Sequence, residues 1–345
     1  MAKIGVYICK CGGTIADATN FDQIVKAAEA TLSRVAAARE AIGAVIFGQE
    51  RVVEQALVTL LAGGHGLLIG VPGLAKTKLV ETLGVVMGLE ALRVQFTPDL
   101  MPSDILGAEV MEEGLDHSRS FRFIKGPIFA QLLMADEINR ASPRTQSALL
   151  QAMQERHVTV AGARHDLPAP FHVLATQNPL EQEGAYPLPE AQLDRFLMQI
   201  DVGYPDRDAE RRILIETTGD AEAKAKPAMT AAELMAAQRL VRRAPIGESV
   251  VESILDLVRA ARPGDGDPEL TKPIAWGPGP RAAQALMLAC RARALVDGRF
   301  APSRDDIAAL AEPVLKHRMA LSYAARADGE TIPAVVARLV AKTLG

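Results

Sequence analysis

Cysteine is nearly absent from this chain: Cys9, Cys11 and Cys290 are the three present among 345 residues. They are too few for a disulfide framework, which points to a reducing compartment and makes the cytoplasm the expected location. Aromatic residues are also scarce, at 4%, with a single Trp. Stacked-ring platforms for single-stranded nucleic acid are therefore not the expected theme. Neither sign of charge dominates, since 38 Lys plus Arg against 42 Asp plus Glu leave a net charge of −4, which is no field for gripping a polyanion. No export signal is visible, because the apolar stretch Ile4 to Cys9 stops at Lys10, short of the roughly 7 to 15 residues such a signal needs. One uncharged stretch, Gln55 to Ala75, has 21 residues, enough to span a bilayer. Its five glycines, Pro72 and His65 break it into a helix, a turn and a strand, so no membrane span is expected.

What the chain does have is an ordinary globular composition, 49% hydrophobic and 23% charged, with length for two or three domains. Helical spacing marks Phe21 to Ile42, and a second helix follows Gly48. Short apolar strands are expected at Leu67 to Ile69, Leu92 to Phe96, Leu132 to Ala135, Phe171 to Thr176 and Phe196 to Val202. Strands alternating with helices predict an α/β fold with a mostly parallel, helix-covered sheet. Two hairpins interrupt it, around Gly114 (Glu109 to Met111 with Phe121 to Ile124) and around Gly162 (Val158 to Val160 with Arg164 to Leu167). Beyond Pro205 only helix signals remain, including capping boxes at Thr230/Glu233 and Ser303/Asp306. The expected organisation is an extension with a Cys-x-Cys pair (residues 1–20), an α/β core (21–205) and an all-helical domain (206–345).

The segment Gly70-Val-Pro72-Gly73-Leu74-Ala75-Lys76-Thr77 lies between an expected strand and an expected helix, the context of a phosphate-binding loop. Glycines let the backbone wrap with its N–H groups inward, and the helix N-terminus adds positive potential. Lys76 is placed to meet the outer phosphates and the Thr77 hydroxyl to take Mg²⁺. The strict pattern has Gly where Ala75 stands. Farther on, Leu132-Leu-Met-Ala-Asp136-Glu137 is an apolar strand ending in two carboxylates. Strand ends of a parallel sheet share one crevice, so Asp136 is placed for the Mg²⁺ shell and Glu137 to polarise an attacking water.

These motifs, with Ala-Asp-Glu-Ile-Asn-Arg-Ala (135 to 141), Ala-Thr-Gln-Asn-Pro (175 to 179) and Tyr-Pro-Leu-Pro-Glu-Ala-Gln-Leu-Asp-Arg-Phe (186 to 196), resemble the MoxR family of AAA+ ATPases. The resemblance runs from about Ala41 to the C-terminus, and Ala75 in place of Gly is part of it. It implies a P-loop AAA+ core followed by an all-α lid, with ATP and Mg²⁺ as ligands. By the same resemblance Asn178 is the sensor 1 residue, Arg195 the arginine finger and Arg281 the sensor 2 residue through which the lid feels the γ-phosphate. A finger acting on a neighbour's nucleotide implies a homo-oligomeric ring, commonly a hexamer. In Gly277-Pro-Gly-Pro280 this chain departs from the family's smaller residues before Arg281, which implies a stiffer loop.

Read without the resemblance, Asn178 belongs to an Asn-Pro turn and Asp194-Arg195 to a surface ion pair. Arg140 and Arg144 read as an exposed helical face, with an intersubunit role as the alternative. Arg119, Arg122 and Lys125 give the first hairpin a basic flavour that reads as solvation. The opening Ile4-Gly-Val-Tyr-Ile-Cys-Lys-Cys is similar to the start of heterodisulfide reductase A-type proteins, but two thiols fall short of the four ligands a cluster or zinc normally takes. The functional expectation is a chaperone-like ATPase that remodels, assembles or activates the metal cofactor of a client enzyme complex, partnered by a protein with a von Willebrand factor A domain. The rivals are a nucleic-acid motor and a nucleotide-binding scaffold without turnover.

Overall fold

The two helices α1 (Phe21–Gly43) and α2 (Glu50–Leu61) precede the first strand of a computed structural model that describes residues 21–113, 117, 119–180, 184–218 and 224–345. Cys9 and Cys11 lie outside the described residues. The chain then runs through β1 (Gly66–Ile69), α3 (Lys76–Val86), β2 (Ala91–Gln95), α4 (Pro102–Leu106) and a hairpin of β3 (Gly107–Glu113) and β4 (Arg119–Lys125). There follow β5 (Leu132–Asp136), α5 (Pro143–Glu155), a second hairpin of β6 (His157–Val160) and β7 (Ala163–Asp166), β8 (His172–Gln177), α6 (Glu190–Leu193) and β9 (Met198–Asp201).

Five of these strands form one parallel sheet in the order β2-β5-β8-β1-β9. Alternate residues along each strand point to opposite faces. Leu68, Met134 and Leu174 enter one core cluster, and Leu67, Leu133, Ala135, Val173 and Ala175 enter the other. Both faces are therefore covered, which is why β5 and β8 read as unbroken apolar runs rather than alternating ones. The two hairpins stand outside the sheet and rest on each other, with the Phe123 ring stacked on His165 at 3.9 Å.

The C-terminal part comprises α7 (Arg207–Thr217), α8 (Ala231–Arg243), α9 (Glu248–Ala260), α10 (Pro268–Thr271), α11 (Pro280–Val296), α12 (Arg304–Leu315), α13 (Tyr323–Ala327) and α14 (Ile332–Leu344). It is not wholly helical: β10 (Ile274–Trp276) and β11 (Ala320–Leu321) pair antiparallel. Segments of two or three residues are too short to show a period, and β10 sits inside a Pro/Gly-rich stretch, Pro263 to Pro280, that masks it. Leu286, Leu310 and Val314 of these helices share one apolar cluster with Leu57 of α2, Leu83 of α3 and Leu68 of the sheet. An ion network reinforces the junction, with Arg293 bonded to Glu54 and Asp306 at 2.7 Å each and Arg299 to Asp306 at 2.6 Å. Burial alone would raise the Asp306 carboxyl, but hydrogen bonds from Arg299, the Ser303 backbone and Arg293 hold it below its ordinary range. Cys290 is buried in α11, and burial pushes its thiol far up, so it is neither a ready ligand nor a nucleophile.

Two buried histidines brace the core, and one of them, His172, joins the sheet to this helical part. His65 accepts from the Val173 N–H at Nδ1 (2.9 Å) and faces the Met153 carbonyl with Nε2 (3.3 Å). His172 faces the Gly64 carbonyl with Nδ1 (2.8 Å) and meets Gln238 of α8 at Nε2 (3.0 Å). Each ring is thus neutral, with one nitrogen donating and one accepting. Burial lowers His65 to about 3 and His172 to about 4 from an ordinary 6.5. Below pH 6.5 the unfolded chain therefore binds protons that the folded one refuses, so stability is complete above that pH and is lost as pH falls. The expected slope is about 1.4 kcal/mol per pH unit for each histidine. Urea midpoints measured between pH 7.5 and pH 5 check this, and a midpoint that does not fall across that range contradicts it.

Candidate active site

The start of the loop after β1 is anchored to the strands on either side of β1. Gly70 N–H donates to Gln177 of β8 at 3.3 Å, and Val202 N–H donates to Ile69 at 2.7 Å. A Cβ on Gly70 would stand 2.5 Å from the Val202 carbonyl, so the close approach of β9 requires glycine there. Gly73 is required for a different reason. Its φ is +86°, and a Cβ would meet nothing within 4 Å, so the loop turns left-handed beside open space. Ala75 also adopts a left-handed conformation, φ 54°, immediately before α3 begins at Lys76. The strict motif's Gly would be relaxed at that φ, whereas Ala holds it at a cost of about 1 kcal/mol. The first amides of α3 have no acceptor within the helix and form the positive end of its dipole.

Lys76 bends over the loop and donates to the carbonyls of Gly70 (2.7 Å) and Val71 (2.8 Å). Burial lowers its pKa, and the charges of Asp136 and Glu137, at the end of β5 one strand away across β8, partly oppose that shift. Asp136 is buried at the end of β5 and accepts from Thr176 Oγ1 (2.5 Å) and from Arg93 Nε and Nη2 (3.1 and 2.5 Å). Glu137, at φ 55°, has left-handed backbone, and Thr176 Oγ1 fixes its N–H at 2.8 Å. Its Oε2 accepts from Gln95 (2.7 Å) and Arg140 (3.1 Å). Arg140 thus turns back on the carboxylate pair rather than forming an exposed helical face, while Arg144 is exposed. Asn178, directly after β8, is buried and accepts the Leu180 N–H at 3.1 Å.

A cavity of about 190 Å³ opens beside Gly73 and Ala75, walled by Val45, Ile46, Phe47 and Ile213. Gln49 on its wall bonds the Leu74 carbonyl through Nε2 and leaves Oε1 buried without a partner. Apolar walls with a few polar groups (Gln49, Lys78, Glu216 and Thr217) beside the phosphate-binding loop fit a nucleoside carrying phosphates.

Arg195 and Arg281 stand elsewhere. Neither lines that cavity, and both line a second one of about 290 Å³ together with Arg156, Arg318 and Asp194. Arg195 Nη1 donates to the Leu150 carbonyl (2.9 Å) and its Nε is buried without a partner. Arg281 meets Asp194 at 3.4 Å. The lid arginine therefore keeps company with the finger candidate, not with its own chain's phosphate loop.

Residues 65–198 match the model of the ATPase family associated with various cellular activities (AAA), and residues 271–339 match the AAA lid domain. The chain is 43% identical over 302 residues to Chaperone MoxR1 of Mycobacterium tuberculosis, covering 87% of this chain and 79% of that one. The chain belongs to the MoxR family of AAA+ ATPases. This MoxR-family chain is also 30% identical to Protein MoxR of Paracoccus denitrificans, covering 87% of this chain and 92% of the relative. A crystal structure from Cytophaga hutchinsonii, described as a candidate ATPase, superimposes with a TM-score of 0.85 at 34% identity, covering 94% of this chain and 98% of that one.

The donors fit the family's Mg²⁺. A hydroxyl on Thr77 and the Asp136 carboxylate are hard oxygen ligands. Asp136 uses three of about four lone-pair sites on Thr176 and Arg93, which leaves room for a metal-bound water. Among the described residues no cluster of three or more His, Cys, Asp or Glu would hold a metal by itself. Nor, among the described residues, is any helix long and apolar enough to cross a membrane.

Sequence reasoning in the MoxR-family chain misses Gln49, Arg93, Gln95, Thr176 and Arg318. Gln95 and Thr176 carry a signal, since both stand at the C-terminal ends of strands flanking β5. Arg93 and Arg318 carry none.

Proposed function

We propose that this chain hydrolyses Mg-ATP in pockets shared between neighbouring copies of itself and uses the turnover to remodel a protein client. One observation carries this reading: the Lys76 ammonium is held over the loop after β1, and Asp136 and Glu137 end β5 one strand away across β8, while Arg195 and Arg281 line a cavity that includes none of these three, so a neighbour's arginines are needed to complete the charge complement. A ring, commonly of six, closes such head-to-tail contacts.

Within the site, Lys76 would exchange the Gly70 and Val71 carbonyls for phosphate oxygens. Thr77 and Asp136 would hold Mg²⁺, which when bound neutralises charge developing on the transferred phosphoryl. Glu137 would orient the attacking water and take its proton, with Asn178 as a second polar contact. Arg195 and Arg281 would reach the neighbouring chain's nucleotide.

A protein client is supported by the first hairpin, where Met111 and Phe121 pair across the strands with Phe121 70% exposed. The partner with a von Willebrand factor A domain, and metal-cofactor activation of a client complex, belong to the same reading through the family. The nucleic-acid motor loses support, because Arg122 is paired with Glu112 at 2.8 Å and Arg119 stands opposite Glu113.

Calorimetric titration of ATP tests the loop. Lys76→Ala is expected to bind about tenfold more weakly or worse, having lost a charge-assisted phosphate contact. Unchanged affinity would remove Lys76 from the site.

A further inference from the structure

Arg318 ends the short 3-10 turn that follows α12 and is 3% exposed. A guanidinium has five N–H donors, and all five are used here. Nε donates to Asp194 Oδ1 at 2.7 Å, and Nη2 donates to the Asp194 and Phe196 carbonyls at 3.2 and 2.6 Å. Nη1 donates to the Leu197 carbonyl at 3.1 Å and to the Val314 carbonyl of α12 at 2.6 Å. Four of the five bonds thus grip the residues on either side of Arg195, and the fifth grips the lid helix. Two neighbours join in: His317 Nε2 lies 3.2 Å from the Phe196 carbonyl, and Arg281 meets the other Asp194 oxygen at 3.4 Å.

Burying a guanidinium carries a desolvation penalty that its ion pair only partly repays, so apolar packing would serve stability as well. What an apolar side chain cannot do is fix four acceptors of one turn in a single arrangement. Lysine cannot do it either, because an ammonium has three donors and no planar fork.

We propose that Arg318 is a positioning residue for hydrolysis: it locks the Asp194–Leu197 turn to the lid and so aims Arg195, with Arg281 held through Asp194, at the neighbouring chain's nucleotide. This rests on the reading that Arg195 acts across the subunit boundary. Arg318 touches no reacting atom, and its effect passes through the turn.

The test uses full-length Arg318→Lys, read for nucleotide affinity, turnover and rescue on mixing. The expected variant binds a fluorescent ADP analogue within about twofold of the parent, because the phosphate loop is untouched, while its kcat falls at least about tenfold as the finger loses its aim. Mixed with Glu137→Gln chains, which bring a correctly aimed Arg195 but an inactive site, it is expected to regain turnover. Arg195→Ala is mixed in parallel as a control. If Arg195→Ala is rescued and Arg318→Lys is not, or if Arg318→Lys keeps its kcat within twofold, the Arg318 role is overturned alone. If Arg195→Ala is not rescued either, the shared pocket fails and the Arg318 role fails with it. Should Arg318→Lys not assemble, Asp194→Asn, which keeps the backbone acceptors but removes the charged one, is read by the same criteria.

Discussion

Glu137→Gln lowers ATP turnover by about a hundred- to ten-thousand-fold and leaves ATP bound, the range for loss of a general base. The substitution keeps the shape of the side chain, and the Thr176 bond that fixes the left-handed backbone runs to the peptide N–H, not to the carboxylate. Gln95 and Arg140 lose only a charged acceptor. What disappears is the capacity to take a proton from water beside the γ-phosphate. Steady-state phosphate release, measured beside ATP affinity, separates the two effects. Turnover within threefold of the parent would reassign the base, and a parallel loss of affinity would make Glu137 a binding group.

Arg195→Ala has the largest expected consequence, about a thousandfold or more in kcat, since an arginine finger is worth roughly 10³ to 10⁵. The loss is expected without a change in the chain's own nucleotide affinity, because Arg195 lines a cavity with Arg156, Asp194, Arg281 and Arg318 that includes no residue of the phosphate loop. Folding is little affected: the side chain donates one hydrogen bond, to the Leu150 carbonyl, and its Nε is unpartnered. Mixing with Glu137→Gln chains returns activity if the pocket is shared, since each such boundary pairs an intact site with an intact finger. A mixture as inactive as its components would confine the chemistry to a single chain.

Much of this architecture is legible in the amino-acid sequence alone. The Gly70 to Thr77 loop, the Asp136-Glu137 strand end, the parallel sheet and both hairpins follow from period, punctuation and order along the chain. The lapses arise where side chains meet through space. Thr176 and Arg93 reach Asp136 from strands that lie beside β5 in space but about 40 residues away in sequence, and a strand's period states which face a residue takes, not which neighbour it meets. Arg140 reads as helical surface in the sequence, yet Ile138–Arg140 is a tight 3-10 turn that swings the side chain back on Glu137. Arg318 carries no pattern at all: a lone arginine in a helical region gives no sign that five acceptors await it. Arg281 is legible as a residue but not as a location, because the lid's placement comes from packing.

That packing has a mechanical corollary. Because Leu286, Leu310 and Val314 share their interior with Leu57, Leu83 and Leu68, swinging the lid like a flap would tear open a dry seam within the subunit. In the proposed ring the joints with most give would be those between copies, where Arg281, and Met111 and Phe121 of the first hairpin, face water. Strain released at one nucleotide would then travel around the assembly as a tilt of whole, stiff bodies.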